Sequence, residues 1–597
     1  MTHPSPHDAR RRRLLQAFLG TLAAPLSLPA LAAESPLRAL AERHFSALLD
    51  AYPFWASQLR LDTPVQAASL PIGIAPEFRR RMDAHHRRMR AALLRIDRGA
   101  LNDADGITCD VLRHNIEDAL AQARFPDHLL PIHHMPGSVP FVMAAAADNG
   151  LSPFRTVVDH ERHLSRLRRL PAWCDQAAAN MREGVRRGIV LPTPIIERML
   201  PLVRALAQPD LQRNPFADPM RRLPAGVTDA ERRHLAQAYR DTLGGRVVPA
   251  VARLADMVER EYLPKGQSSA GLGALPGGAE WYAQCVRSST TTSMTASQIH
   301  TLGLEEVQRL RGEMAKVQAG YGFEGRLEDF LAWHGKRAEA RPFKTEREVL
   351  DAYAELNRRI APQLTRLFGR IPKAPLEIRP EPELTRDTAS DHYGAPAPDG
   401  SRPGIFYAVI PDPAQYTTPR MTTLFLHEGQ PGHHYQTSLA QELPLTRMQR
   451  FFFYDAFGEG WALYAETLGH DMGLYGDPNA YLGHLGMAML RAVRLVVDTG
   501  LHEQGWTREG AIEYLVANTG YPERDARAQI ERYMVSPGQA LSYAVGRMKI
   551  ESLRDKARAA LGERFSLAAF HDQVLGSGSM PLAVLEAKID RWIAGTR

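Results

Sequence analysis

The chain has 597 residues, 44% of them apolar and 23% charged, the balance of an ordinary globular protein, which excludes a fibrous or disordered chain. Its formal charge is +6, of which Arg10 to Arg13 less Asp8 supply +3, so the remainder is too small for a nucleic-acid footprint. Three cysteines, Cys109, Cys174 and Cys285, allow at most one disulfide and exclude a disulfide scaffold.

Residues 10–33, "RRRRLLQAFLGTLAAPLSLPALAA", give a basic start, an apolar stretch and a small-residue cleavage site after Ala32. This reads as an export signal over residues 1–32, by the twin-arginine or the Sec route, and as a periplasmic or secreted location. No cysteine stands at the cleavage site for a lipid anchor, and the reading expects no membrane span in the mature chain. From 36 to 260 the sequence is rich in Ala, Leu, Arg and Glu. Apolar residues recur at three and four spacing, as in "SPLRALAERHFSALLDAYP", which predicts amphipathic helices. Thr228 with Glu231 three residues on predicts a capped helix start. This first stretch is read as a helical scaffold, and 261–597 as the metal-site half of the same unit.

Between the two, "KGQSSAGLGALPGGAEWYAQCVRSSTTTSMTASQ" reads as a hinge, a cleft wall or a surface connection before a helix starting near Ser297. Strand signals are few: "LEIRPEPEL" and "GIFYAVI" carry β-branched and aromatic residues bounded by Pro and Gly. They predict a small sheet beside the helix that follows. Helices then return to the C-terminus. The fold class expected is mainly α, large and two-lobed around a cleft.

The chemistry concentrates in "TTLFLHEGQPGHHYQ", residues 422–436. A zinc-peptidase helix places two histidines one turn apart with Glu after the first, so that both imidazoles reach one ion. Here His427 and Glu428 begin that pattern, but the next histidines are His433 and His434. In an unbroken helix the first of these points about 120° away and the second lies about 10 Å along the axis. Pro431 lacks an N–H and Gly432 can take positive φ, so the extra residues can loop out. His427 and one of His433 or His434 then become ligands, the other lying beside them or facing substrate. "GEGWALYAE" supplies Glu459, 26 residues after His433, as third ligand of a His2Glu zinc set. Glu466, two turns on, is placed to orient a histidine.

Five blocks in order, "ALPGGAEWYAQCVRSSTTTSMTASQIHTLGLEEV", "DGSRPGIFYAVI", "HEGQPGHHYQ", "GEGWALYAE" and "ERYMVSPGQALSYAVGRMKIESLR", resemble the bacterial family known as domain of unknown function 885, from about residue 36 to the end. That family is grouped with the gluzincin metallopeptidases. The resemblance implies a largely helical fold with a substrate cleft, similar to angiotensin-converting enzyme, neurolysin and dipeptidyl peptidase III. The last also carries an insertion between its histidines. Those enzymes place Gly before the second ligand, which favours His433 over His434, and commonly use a Tyr or His from a later helix to stabilise the oxyanion. Tyr543 and Tyr533 are the tyrosines available, with Tyr543 preferred. By the same resemblance "GIFYAVI" is an edge strand for extended substrate near Tyr407, while Arg402 and Arg547 are of the right chemistry to grip a carboxylate.

The function expected is an exported peptidase holding one zinc ion, cutting oligopeptides or dipeptides by metal-activated water with Glu428 as general base. The alternative is an inactive periplasmic protein that binds peptide or metal on the same scaffold. A carboxylate-bridged di-iron centre needs paired Glu-x-x-His helices, which the chain lacks near the site.

Overall fold

The computed structural model describes residues 35–596, except 136, 147–151, 153, 222, 225, 384–385 and 387–388; the expected leader over 1–32 lies outside the described residues. The protein is mainly α with one small sheet. The elements that position the site are α1 (Pro36–Ala51), α2 (Ala296–Gly320), α3 (Glu346–Leu367), β1 (Leu376–Pro380), β2 (His392–Gly394), β3 (Gly404–Ala408), α4 (Met421–Glu428), α5 (His433–Glu442), α6 (Asp455–Thr467), α7 (Pro478–His502) and α8 (Ser542–Leu561).

Local chemistry sets many helix starts. Thr228 accepts from the Glu231 backbone and Glu231 caps in return, and Thr295 with Gln298 and Thr345 with Glu348 do the same for α2 and α3. The 265–298 stretch, read as a hinge, a cleft wall or a surface connection, is largely packed structure. Its middle forms a helix, Gly278–Thr290, that buries Trp281 and Tyr282. A Cβ on Gly271 would fall 1.8 Å from the Leu501 carbonyl, so this connection is packed tightly against the end of α7.

Two large cores form, and neither respects a boundary at residue 260. One joins Phe45 and Val111 to Phe425, Trp461 and Leu553; the other joins Leu164 and Met199 to Val493 and Ile530. The division at 260 falls inside a helical run and separates no hydrophobic core. α7 runs through the second core. It is long and apolar enough to cross a membrane by length and composition, yet 67% of its most apolar window is buried inside the protein. It is mostly a core helix, its apolar residues facing protein and Arg491 and Arg494 facing the cavity described below.

Two glycine contacts bring the functional helices together. Gly303 of α2 meets α7, where an added Cβ would lie 2.7 Å from that of Leu495. Gly460 of α6 meets Gly546 of α8, where a Cβ on Gly546 would lie 2.0 Å from the Ala456 carbonyl. The second contact brings Glu459 of α6 and Tyr543 of α8 to the wall of one cavity.

In the sheet, β3 is central, parallel to β1 and antiparallel to β2. β1 and β3 carry the signals read from the sequence; β2, three residues long, is too short to show a period. Tyr407 therefore sits in a strand with both edges filled, opposite His392 and Arg379. Substrate cannot add to β3, and the edge beside the site is β2.

Candidate metal centre

α4 ends at Glu428 and α5 begins at His433, so the residues between them form a short turn that contains a cis Gln430–Pro431 bond. Gly432 does not use positive φ: it has φ −77° and ψ −127°. What requires glycine is proximity, since a Cβ there would lie 1.9 Å from the His427 carbonyl oxygen and 2.4 Å from that of Leu426. The indole of Trp461 on α6 donates to the Pro431 carbonyl at 2.8 Å and ties the turn to the helix carrying Glu459. The path is shortened enough that the His427 and His433 rings lie 4.8 Å apart, centroid to centroid.

His427, His433 and Glu459 each present a ligand atom, and all three atoms lie within 4.8 Å of one another. Glu459 Oε2 is 3.5 Å from His427 Nε2 and 3.4 Å from His433 Nε2, too far for good hydrogen bonds. That oxygen is buried without a hydrogen-bond partner among the described residues. An orphaned carboxylate oxygen facing two imidazole nitrogens fits a divalent ion of the zinc type. His427 Nδ1–H donates to Glu466 Oε1 at 2.8 Å, and Arg491 lies 3.7 Å from the same oxygen. Glu466 thereby fixes the tautomer that turns Nε2 toward the centre.

The clustered carboxylates and imidazoles also shift one another's protonation. Burial opposes charge on His427, but Glu459, Glu466 and Glu428 outweigh it and push its pKa up to about 9. Burial likewise opposes charge on Glu459, yet His427 and His433 hold its carboxyl well below the usual range.

The remaining site residues separate into two groups. Glu428 and Tyr543 line the same cavity as His427, His433 and Glu459, a space of about 780 Å³. Burial and then the Glu459 charge push the Tyr543 phenol up, so it stays protonated at neutral pH. His434 points elsewhere: it is 1% exposed, with Nδ1 3.2 Å from the Tyr393 hydroxyl, and burial lowers its pKa to about 4. It is a neutral packing histidine outside the donor cluster. Tyr533 is fully buried behind the cavity wall and accepts from Arg494 Nε at 2.9 Å. Arg547 is committed to Glu306 and Glu551 in a separate cavity behind the centre. Arg402 donates to the Ala395 carbonyl in the β2–β3 connection, and Tyr407 stacks on His392. None of the last four lines the cavity.

Several lining residues escaped the sequence reading: Arg420, paired with Asp391, and Arg491 and Arg494 of α7. The signal for the last two was present, as charges three residues apart in an otherwise apolar helix. A neighbouring cavity of about 670 Å³ shares Trp55, Phe452 and Phe453 with the first and extends the space with aromatic walls.

Asp498, one turn beyond Arg494, positions the segment that leads into α8. It accepts from the Tyr282 hydroxyl at 2.7 Å and from the Gly538 N–H at 3.0 Å. Burial raises its pKa from 3.8 to about 7, against the lowering effect of those hydrogen bonds. A folded-state pKa above the unfolded value means that this group's stabilisation is complete below pH 3.8 and is lost as pH rises through about 7. Asp498→Asn keeps an acceptor for both donors and is expected to remove up to about 1.4 kcal/mol per pH unit of slope in that window. Urea unfolding of both proteins at a series of pH values checks this, and parallel curves contradict it.

A family model described as "Bacterial protein of unknown function (DUF885)" matches residues 53–589. No curated protein matches the chain. Among solved structures, a candidate lipoprotein from Colwellia psychrerythraea is 26% identical with a TM-score of 0.85, covering 94% of this chain and 99% of that one. A candidate lipoprotein of unknown function from Shewanella oneidensis is 20% identical with a TM-score of 0.72, covering 92% and 99%; this second likeness is one of fold.

Proposed function

This chain belongs to the bacterial protein family of unknown function 885, and we propose that it is a zinc-dependent peptidase hydrolysing peptide bonds of oligopeptides or dipeptides. One observation carries the reading: His427, His433 and Glu459 converge within 4.8 Å on the wall of a cavity that also holds Glu428 and Tyr543. Two imidazoles and one carboxylate are a catalytic zinc set, leaving a coordination position free. A zinc ion held there would supply Lewis acidity that acidifies water and polarises a carbonyl.

The chain's own residues supply the rest. Glu428, the residue after His427, accepts the proton of the attacking water and delivers it to the departing amine. Tyr543, kept protonated, donates to the carbonyl oxygen as negative charge develops on it. β2 contributes His392 and Tyr393 to the cavity and leaves one edge open among the described residues. That edge offers backbone pairing to an extended peptide. The description of the Colwellia relative as a candidate lipoprotein, together with the basic and apolar leader, supports export to the cell envelope. The three cysteines lie far from the expected cleavage point, so the lipid anchor is not carried over.

The test is metal content and hydrolysis of a quenched peptide library by the purified chain after zinc reconstitution. One zinc per chain, with cleavage abolished by a chelator and restored by zinc, is the expected result. Absence of both stoichiometric zinc and cleavage overturns the reading. On the same footing Glu466→Gln, which loses the charge that orients His427, is expected to weaken zinc binding by about tenfold or more. Competition with a chromophoric chelator measures this, and unchanged affinity assigns Glu466 to packing.

A further inference from the structure

Arg494 stands in the cavity wall with only 8% of its surface exposed. Its Nε donates to the Tyr533 hydroxyl at 2.9 Å and one terminal nitrogen donates to Gln529 Oε1 at 3.4 Å. Its guanidinium carbon lies 4.7 Å from the centroid of the Tyr543 ring and 5.9 Å from that of Tyr533. The other terminal nitrogen, Nη1, is buried and has no hydrogen-bond partner. Among the described residues no carboxylate forms an ion pair with it.

The other arginines of the cavity wall face a carboxylate or are only partly buried. Arg420 is paired with Asp391, Arg491 faces Glu466, and Glu459 faces the two histidines. Arg450 is only partly buried and lies over the Phe451 ring, although its Nε has no hydrogen-bond partner. Arg491 is also buried with an Nε that has no hydrogen-bond partner, but Glu466 is its counter-ion; among the described arginines of this wall, Arg494 alone is deeply buried with no carboxylate partner. Arginine does not escape the cost by losing its proton, and a buried cation without a counter-ion costs several kcal/mol. The two tyrosine rings offset part of that cost but leave Nη1 unserved. What completes such a group is a planar anion taken by the guanidinium fork.

We infer that Arg494 anchors the terminal carboxylate of the substrate, so that the bond cut lies near a free C-terminus and the reaction is that of a carboxypeptidase or dipeptidase. The inference rests on the peptidase reading of the His427, His433 and Glu459 centre. The position of Tyr543 carries it: the same ring lies against Arg494 and lines one cavity with His427, His433 and Glu459. This reading also reassigns the carboxylate grip that sequence chemistry had offered to Arg402 and Arg547.

The experiment uses tri- to pentapeptides, each made as the free acid, as the C-terminal amide, and as an amide ending in Glu. Binding is measured by calorimetry on zinc-loaded Glu428→Gln, and hydrolysis on the wild type. Free acids are expected to bind at least about a hundredfold tighter than the amides, because an amide leaves the buried fork unserved. In Glu428→Gln combined with Arg494→Met the discrimination is expected to vanish while zinc content stays at one per chain. Arg494→Lys is expected to raise KM with a smaller change in kcat, since charge remains and the fork is lost. Equal binding of acid and amide overturns the inference, and so does discrimination that survives Arg494→Met. A Glu-terminated amide bound as tightly as the free acid overturns the C-terminal assignment. Because acid and amide are compared on a protein with native Arg494, the test stands even if Arg494→Met fails to fold. Hydrolysis without discrimination sinks the anchor and spares the peptidase; discrimination without wild-type hydrolysis does the reverse.

Discussion

Glu428→Gln and the wild type are both expected to hold one zinc ion per chain, while peptide hydrolysis by the variant is expected to fall by about a thousandfold or more. The physical reason is a division of labour on the last turn of α4. His427 points its Nε2 toward Glu459, while Glu428 lines the cavity without belonging to the donor cluster. Glutamine matches the shape of glutamate but cannot take a proton, so metal retention and catalysis separate. His427→Ala is the complement: it removes a ligand and leaves Glu459 and Glu466 facing each other's charge, so zinc and activity are lost together. Metal analysis beside kcat on the same preparations decides the matter. Substantial hydrolysis by Glu428→Gln would show that another group takes the proton.

Gly432→Ala is the other change with a large expected effect. It adds one methyl group outside the donor cluster, yet its Cβ would enter the carbonyl oxygens of His427 and Leu426 at 1.9 and 2.4 Å. Backbone cannot yield as a side-chain tip does, so the turn must open and the start of α5 must move. His433 is the first residue of that helix. Ligand positions tolerate only a few tenths of an ångström, and zinc affinity is expected to fall by about a hundredfold or more, with a destabilisation of several kcal/mol. Zinc titration and thermal melting of the variant check both effects. Retention of wild-type zinc affinity would show that the tight turn does not set the position of His433.

The residue types of the centre were legible because they lie in contiguous motifs. His427 with Glu428, and Glu459 with Glu466, occupy helices whose geometry is known in advance, so their relative directions could be reasoned from spacing. The turn between α4 and α5 was legible as an interruption, from Pro431 and Gly432, but its mechanism was not. Positive φ was expected, and the structure shows instead a close backbone crossing. The choice between His433 and His434 needed the other side of that turn, since only the tertiary structure shows His434 against Tyr393 and His433 against Glu459.

The misplaced residues share a cause. Tyr533 and Arg547 sit on amphipathic helices whose faces could be separated from the sequence, but not assigned to one cavity or another. β3 had the composition of a strand, while its central place depends on β1 and on the three-residue β2. Arg494 carries no motif at all; its meaning comes from Tyr533, Gln529 and Tyr543, which lie 35 to 49 residues further along the chain.

The sequence by itself determined that this is a mainly helical protein with a small sheet and an interrupted His-Glu motif, because helix period, capping and donor chemistry are local properties. Only the tertiary structure decided which histidine joins Glu459, which strand is the edge, and which arginine is left without an anion. Those are matters of what one element's face meets on another, and contacts between distant segments leave no period in the chain to be read.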